Sequence, residues 1–316
     1  MPVVTPNQKV NKVRKFGGDF IEVKLEGDTF DDASKAAKAY CEKNDMVYVH
    51  PFDDELVIAG QGTIGKEVVE QLEGNPDFIL VAIGGGGMIS GIAIALGSLS
   101  KSTEVVGVES DTQCSMYDSI KAGKRITLNS IDTFVDGTAV KTPGVKTFNI
   151  VSKLVKNILL VKDGQVATDM IELYQNEGIV AEPAGALAIS GLEKIKNKIK
   201  WKNVVCVVCG GNNDLLRYSE ILERSLIFRG LKHYFLIEFA QKPGQLKSFL
   251  NNVLGPNDDI VLFEYTKKNN KTKGPALVGI ELSFKEDLEP MLERFDKIGL
   301  KYTKLNHESL LYQYLV

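Results

Sequence analysis

Little in this chain supports thiol or metal chemistry: its 316 residues hold four cysteines and three histidines. Cys41, Cys114, Cys206 and Cys209 lack the spacing of a disulfide framework, which points to a reducing compartment. Cys206 and Cys209 form a C-x-x-C inside Val204-Val205-Cys206-Val207-Val208-Cys209, which reads as a strand. Residues three apart on a strand point to opposite faces, so neither a redox pair nor a metal site is expected. His50, His233 and His307 have no metal-ligand spacing. No sign of charge dominates either: the net charge is −3, with Lys and Arg spread along the chain, so nucleic acid is not an expected partner. The start, Met1 to Gln8, has no basic region leading into an apolar run, so a signal peptide is not expected there. One uncharged stretch, Phe78 to Ser100, has the length of a membrane span, but Gly84 to Gly87 interrupt it. It is β-branched before the break and Ala/Ile/Leu-rich after it, so a buried strand, a glycine turn and a buried helix are expected, and no membrane.

The composition that remains, 44% hydrophobic and 25% charged, is that of a globular protein of two or three domains. Strands are expected over Phe20 to Leu25, Met46 to His50, Phe78 to Ile83, Val105 to Val108, Asn157 to Val161 and Val204 to Val208. Helices are expected over Thr29 to Lys43 with Thr29 as N-cap, and over Thr63 to Leu72, Met88 to Ser98, Val166 to Asn176 and Asp214 to Phe228, with another opened by Pro183. Alternation with continuously apolar strands implies an α/β domain built on a parallel sheet covered on both faces. After Arg229-Gly230 the pattern changes. Strands at His233 to Ala240, Ile260 to Tyr265, Ala276 to Leu282 and Tyr302 to Leu305 combine with helices at Gln245 to Val253 and Glu286 to Ile298 in the order βαββαβ, an α+β ferredoxin-like unit. A polar loop is expected over Lys267 to Gly274 and an edge strand over Leu310 to Val316. The boundary is expected near residue 230, giving domains 1–229 and 230–316.

Gly84-Gly85-Gly86-Gly87-Met88 lies between a buried strand and a helix start. Free backbone N–H groups and the positive end of a helix dipole suit an anion there, and glycine permits close approach. A dinucleotide is one option: Gly85-x-Gly87 followed by Gly91, with Glu109 ending the next strand, partly matches that fingerprint, but the last glycine is one residue late.

A second option comes from an ordered set of motifs. Gly60-Gln61-Gly62-Thr63, Gly84 to Gly91, Val106-Gly107-Val108-Glu109-Ser110, Asp136-Gly137-Thr138-Ala139-Val140, Ala181-Glu182-Pro183-Ala184-Gly185-Ala186 and Cys209-Gly210-Gly211-Asn212 follow the order found in the serine/threonine dehydratases, as does the opening Pro2 to Pro6. Residues 229 to 316, with Leu262-Phe263-Glu264-Tyr265 and Tyr312-Gln313-Tyr314-Leu315, resemble the short regulatory domain of the biosynthetic threonine dehydratases. The resemblance implies a pyridoxal 5′-phosphate (PLP) enzyme of fold type II (tryptophan synthase β-like), followed by an ACT-like regulatory domain. It implies conversion of L-threonine to 2-oxobutanoate and ammonia in isoleucine synthesis, a cytoplasmic homotetramer, and isoleucine and valine as effectors.

By the same resemblance Gly84, Gly85, Gly86, Gly87 and Met88 hold the cofactor phosphate, Cys209 faces the pyridine nitrogen and Glu182 lines the site. The residues alone leave Glu182 equally readable as a helix cap. Glu109 reads as a site wall or a solvated residue, Gln61 and Thr63 as a turn and a cap, and Asp136-Gly137 as a turn. The match fails at one place. The family's cofactor lysine sits in Ser-x-Lys-x-Arg-Gly, and neither that motif nor the Ser-x-Gly-Asn-His loop occurs here; Ser34-Lys35 is on a polar helix and is no substitute. The expectation is an N-terminally truncated lyase without its catalytic lysine, inactive alone. The alternative is a non-catalytic amino-acid-binding protein derived from that enzyme.

Overall fold

The computed structural model describes residues 1–5, 7–265, 272–307 and 309–315. The chain divides into two compact units, Met1–Ile221 and Leu222–Val316. The division falls inside one helix, ahead of the change in pattern at Arg229-Gly230.

The first unit runs α1 (Asn7–Gly17), α2 (Phe30–Lys43), α3 (Glu55–Gln71), β1 (Phe78–Ala82), α4 (Gly87–Leu99), β2 (Glu104–Ser110), α5 (Ser115–Ala122), α6 (Val145–Leu154), β3 (Asn157–Val161), α7 (Asp163–Glu177), α8 (Pro183–Ser190), α9 (Leu192–Ile195) and β4 (Val204–Cys206), and ends within α10 (Tyr218–Phe228). A 3₁₀ turn covers Asp136–Thr138. The four strands form one parallel sheet in the order β3-β2-β1-β4, with Leu80 opposite both Val106 and Cys206. Both faces are buried. Leu80, Ala82, Val106 and Val108 pack on one side with Val166, Met170 and Leu187. Ile79, Val81, Ile83 and Val105 pack on the other with Ile89, Ile92 and Leu96. Each such fully buried aliphatic side chain is worth roughly 1.5–3 kcal/mol, which explains why the centres of the strands are continuously apolar, with polar residues such as Glu104, Ser110 and Asn157 at their ends. The uncharged stretch is therefore β1, a turn and α4, and no helix among the described residues is long and apolar enough to cross a membrane.

Several local expectations are corrected. Phe20 to Leu25 and Met46 to His50 form no ladder; β-branched residues need a paired neighbour, and among the described residues these have none, leaving Val47 and Val49 largely exposed. α2 forms with the expected Thr29 cap, completed as a capping box by Asp32, yet none of its residues is buried. α3 starts earlier than expected, capped by Asp54, and runs straight through Gly60, Gln61, Gly62 and Thr63. Gly62 and Gly65 serve packing rather than turning, whereas a Cβ on Gly60 would meet nothing within 4 Å. A Cβ on Gly62 would lie 3.2 Å from the Gly91 carbonyl, and one on Gly65 3.2 Å from the Ala95 methyl, so α3 and α4 approach closely along this stripe. β4 ends at Cys206, so the opposite-faces argument for the C-x-x-C does not hold. The Cys206 and Cys209 thiols both point at α8, donating to the Ala188 and Ala184 carbonyls at 3.7 and 3.6 Å.

The second unit holds β5 (Lys232–Ala240), α11 (Gln245–Val253), β6 (Asp259–Tyr265), β7 (Lys273–Glu281), α12 (Leu288–Lys297), β8 (Lys301–Lys304) and α13 (Leu310–Leu315). The antiparallel order β6-β7-β5-β8 is ferredoxin-like. Phe235, Ile237 and Phe239, two residues apart, share one face and bury against Phe249, Met291 and Phe295. Leu310 to Leu315 is a helix, not an edge strand: Tyr312 turns edge-on to Tyr234 at 5.5 Å and covers the sheet's other face with Leu277 and Leu305. Most of the expected polar loop Lys267 to Gly274, and the terminal Val316, lie outside the described residues.

Candidate active site

The chain leaves β1 through α4 to reach β2 on one side, while β4 arrives on the other side of β1. Ligands of open parallel sheets bind where the strand order reverses in this way, outside the carboxyl ends of the strands. The two loops at that crevice are Gly84 to Gly87, after β1, and Cys209 to Asn212, after β4.

The quartet has no room for a side chain. A Cβ on Gly84 would lie 2.9 Å from Thr138 Cα; on Gly85 it would run into the Phe52 ring; on Gly87 it would lie 2.9 Å from Phe52 Cβ. Gly86 caps α4 with φ +91°, the left-handed region, and a Cβ there would meet Met116 Cε at 2.7 Å. The N–H groups of Gly84, Gly85 and Gly86 find no acceptor among the described residues, and those of Gly87, Met88 and Ile89 open the helix.

Neighbouring helix starts are treated differently. Asp54 accepts from Leu56 and Val57 at the start of α3. Asp53 accepts from Val145, Lys146 and Thr147 at the start of α6, at 2.8, 2.8 and 3.2 Å. Glu109 accepts from Met116 and Tyr117 at the start of α5. α4 has no acidic residue in its first turn and no side-chain cap. Buried glycines with unmet amides at an uncapped helix start fit the phosphate of PLP. The same facts disfavour the dinucleotide: Glu109 is buried, not solvated, and its carboxylate is spent on α5. Burial pushes its pKa up to about 8, partly offset by the two N–H bonds.

Glu182 precedes Pro183 at the start of α8 but makes no side-chain cap. Its carboxylate instead lies between Gly137 and Gly210, where a Cβ on Gly137 would stand 3.0 Å from Oε1, and it accepts from the Asn212 N–H at 3.2 Å. Thr138 backs Gly84, Gly137 backs Glu182, and Glu182 backs Gly210. The structure thus brings together the quartet, the Asp136–Thr138 turn, Glu182 and the Cys209 loop. Met88 is half-buried against both faces' cores. Cys209 is a neutral thiol, its pKa pushed up to about 11 by burial and by nearby Glu182.

Sequence reasoning missed several participants. Asp136, read as a mere turn residue, pairs with Lys9 at 2.6 Å and Arg217 at 3.4 Å, and Lys12 reaches Asn212 at 2.5 Å. Phe52 covers the quartet, and its position is set by His50, whose Nδ1 accepts from the Phe52 and Asp53 N–H groups. Burial, then Lys38, lowers the His50 pKa, favouring the neutral ring that this turn requires. Only the clustering of His50, Phe52, Asp53 and Asp54 just before α3 hinted at this.

Comparison with known proteins agrees with this geometry. Residues 1–210 match the family described as pyridoxal-phosphate dependent enzyme, and residues 223–315 match the C-terminal regulatory domain of threonine dehydratase. The L-threonine dehydratase biosynthetic IlvA of Bacillus subtilis (strain 168) is 50% identical over 316 residues, covering 100% of this chain and 75% of the relative. That of Lactococcus lactis subsp. lactis (strain IL1403) is 47% identical over 319 residues, covering 100% and 77%. The chain thus spans about three quarters of the length of these relatives. Among solved structures, the processed form of threonine deaminase isoform 2 from Solanum lycopersicum is 35% identical with a TM-score of 0.66, over 72% of this chain and 62% of that one. Maize serine racemase is 28% identical with a TM-score of 0.63, over 72% and 69%. By these matches, and by the anion loop at the strand-order reversal, the chain belongs to the pyridoxal-phosphate-dependent enzymes, among the threonine dehydratases that carry a C-terminal regulatory domain.

Proposed function

We propose that this chain serves the dehydration and deamination of L-threonine to 2-oxobutanoate and ammonia, the first step of isoleucine biosynthesis, in the cytoplasm. The observation that carries the reading is the uncapped, side-chain-free start of α4 at the crevice. PLP, when bound, supplies the electron sink for loss of the Cα proton and the β-hydroxyl. Gly84 to Met88 hold its phosphate with backbone N–H groups. Cys209, a neutral thiol, would face the pyridine nitrogen and be too weak an acid to protonate it, which would disfavour transamination and suit β-elimination. Glu182 orders the Gly210 loop between them. The unit Leu222–Val316 would bind isoleucine, with valine opposing it, and the working assembly would be a homotetramer.

The sequence contains no Ser-x-Lys-x-Arg-Gly motif. We therefore expect this polypeptide to bind PLP through its phosphate without supplying the lysine, and to be inactive alone. The test is the absorbance spectrum of the purified chain with PLP, before and after borohydride reduction, together with a threonine turnover assay. Phosphate-dependent binding with no band fixed to one lysine, and no turnover, is the expected result. A band fixed to one lysine, with turnover, would overturn the expectation; Lys9 and Lys12 are the first positions to map, since both reach the crevice loops. Binding of isoleucine without any binding of PLP would favour the non-catalytic amino-acid-binding protein.

A further inference from the structure

The quartet is held from behind by one hydroxyl. Thr147, in the first turn of α6, is fully buried, and its Oγ1 donates to the Gly85 carbonyl at 2.6 Å. The Gly144 N–H points at the same oxygen from 3.5 Å. Thr147 is itself fixed at the helix start, because Asp53 accepts its N–H and those of Val145 and Lys146. Its side chain also fits closely under Gly86, where a Cβ would come within 3.0 Å of Thr147 Cβ.

This contact sets the direction of a peptide group. The Gly85–Gly86 peptide is planar and trans, so its C=O and N–H point opposite ways. With the carbonyl pinned to Thr147, the Gly86 N–H is aimed away from α6. Four consecutive glycines have no side chains to fix these peptide planes themselves, and unrestrained they would sample many orientations. We propose that Thr147 is a positioning residue for the phosphate loop: its hydroxyl, set by Asp53, holds the Gly85–Gly86 peptide so that the loop's amides are ready for a phosphate before it arrives. Asp53 acts one step behind it.

The proposal rests on reading the quartet as a phosphate site, and its test separates the two. The probes are pyridoxine 5′-phosphate and pyridoxine, which lack the aldehyde and so cannot react with lysines. Their dissociation constants are measured by calorimetry on the full 316-residue chain, on Thr147→Val and on Thr147→Ser, with thermal melts of each. The natural chain is expected to prefer the phosphorylated probe. Thr147→Val leaves the Gly85 carbonyl without its hydroxyl donor and should lose that preference by about tenfold to a hundredfold, while Thr147→Ser stays within about threefold. If Thr147→Val binds and melts like the natural chain, the proposal is overturned and the phosphate site stands. If the natural chain shows no preference for the phosphate, the site reading fails and takes the proposal with it. Should Thr147→Val not fold, Asp53→Asn keeps the hydroxyl but replaces one accepting oxygen by an amide nitrogen. A loss of about tenfold in phosphate preference then supports the proposal, and a preference kept within about threefold in folded Asp53→Asn overturns it.

Discussion

Gly86→Ala tests whether the quartet is built as described. Gly86 has φ +91° and ψ 4°, and placing an L side chain in that region costs roughly 1–2 kcal/mol. The new methyl would also lie 2.7 Å from Met116 Cε and 3.0 Å from Thr147 Cβ. The methionine end can swing aside, but Thr147 is tied to Gly85 and to Asp53 and cannot. Crowding of a packed interior adds roughly 1–3 kcal/mol. The total, about 2–5 kcal/mol, corresponds to a fall in melting temperature of roughly 5–15 °C for a unit of this size. Gly97→Ala, in the same helix, is the control, since its Cβ meets nothing within 4 Å and its φ is not positive. It should be neutral or stabilising by up to about 1 kcal/mol. Urea unfolding monitored by circular dichroism reads both. A Gly86→Ala protein within about 0.5 kcal/mol of the natural chain would refute both the left-handed cap and the tight packing beneath it.

Other expectations follow from the same details. In Gly91→Ala a methyl would collide with the Ile58 carbonyl and the Gly62 nitrogen, prising α3 from α4, and urea unfolding should show a loss of at least about 3 kcal/mol. Glu109 has a folded-state pKa of about 8 against 4.5 when free, so the folded chain retains a proton that the unfolded chain has lost. Stability should therefore fall as pH rises from 4.5 to 8, with a slope approaching about 1.4 kcal/mol per pH unit, and Glu109→Gln should flatten it. His233 behaves oppositely: burial, then Lys304, lowers its pKa to about 4 from 6.5, and Nε2 faces the Gly230 carbonyl at 2.9 Å. Its contribution is complete above pH 6.5 and is lost as pH falls towards 4, by up to about 3 kcal/mol. Hydrogen exchange of β5 between pH 4 and 7 should show this, and His233→Gln should remove it.

The elements most legible in the sequence were those whose pattern is local and whose surroundings are ordinary. β1, α4, β3 and α11 appear where periodicity put them, and so does the alternating face of β5. The quartet was legible because four glycines after an apolar strand have few other uses. Gly60 and Gly62 were misread as punctuation before a helix; for Gly62 the reason is that a glycine that allows a turn and one that allows two helices to touch look alike without the partner helix. The expected strands Phe20 to Leu25 and Met46 to His50 failed for a related reason: strand propensity is realised only against a neighbour. Glu182 could not be resolved between cap and site, since both uses place it just before Pro183. Thr147 carried no signal, for its task is defined by a carbonyl 62 residues away.

If, as we propose, α4 takes the anion, the carboxylates around the crevice leave its start free to do so. The unmet amides of a helix start are met by any nearby hydrogen-bond acceptor, and chains ordinarily supply one themselves. Here Asp53, Asp54 and Glu109 fill the starts of α6, α3 and α5. None reaches α4, and glycine at its cap position has no side chain to offer. Asp53 does more than fill its own helix. By fixing the first turn of α6 it fixes Thr147, and Thr147 turns the Gly85–Gly86 peptide so that its carbonyl is satisfied and its amide is not. One internal carboxylate thus closes the start of α6 and holds open the start of α4. α8 and α11 also lack a side-chain cap and an acidic first turn; what sets α4 apart is the run of glycines before it, and a carboxylate placed there would gain local stability and compete with an incoming anion.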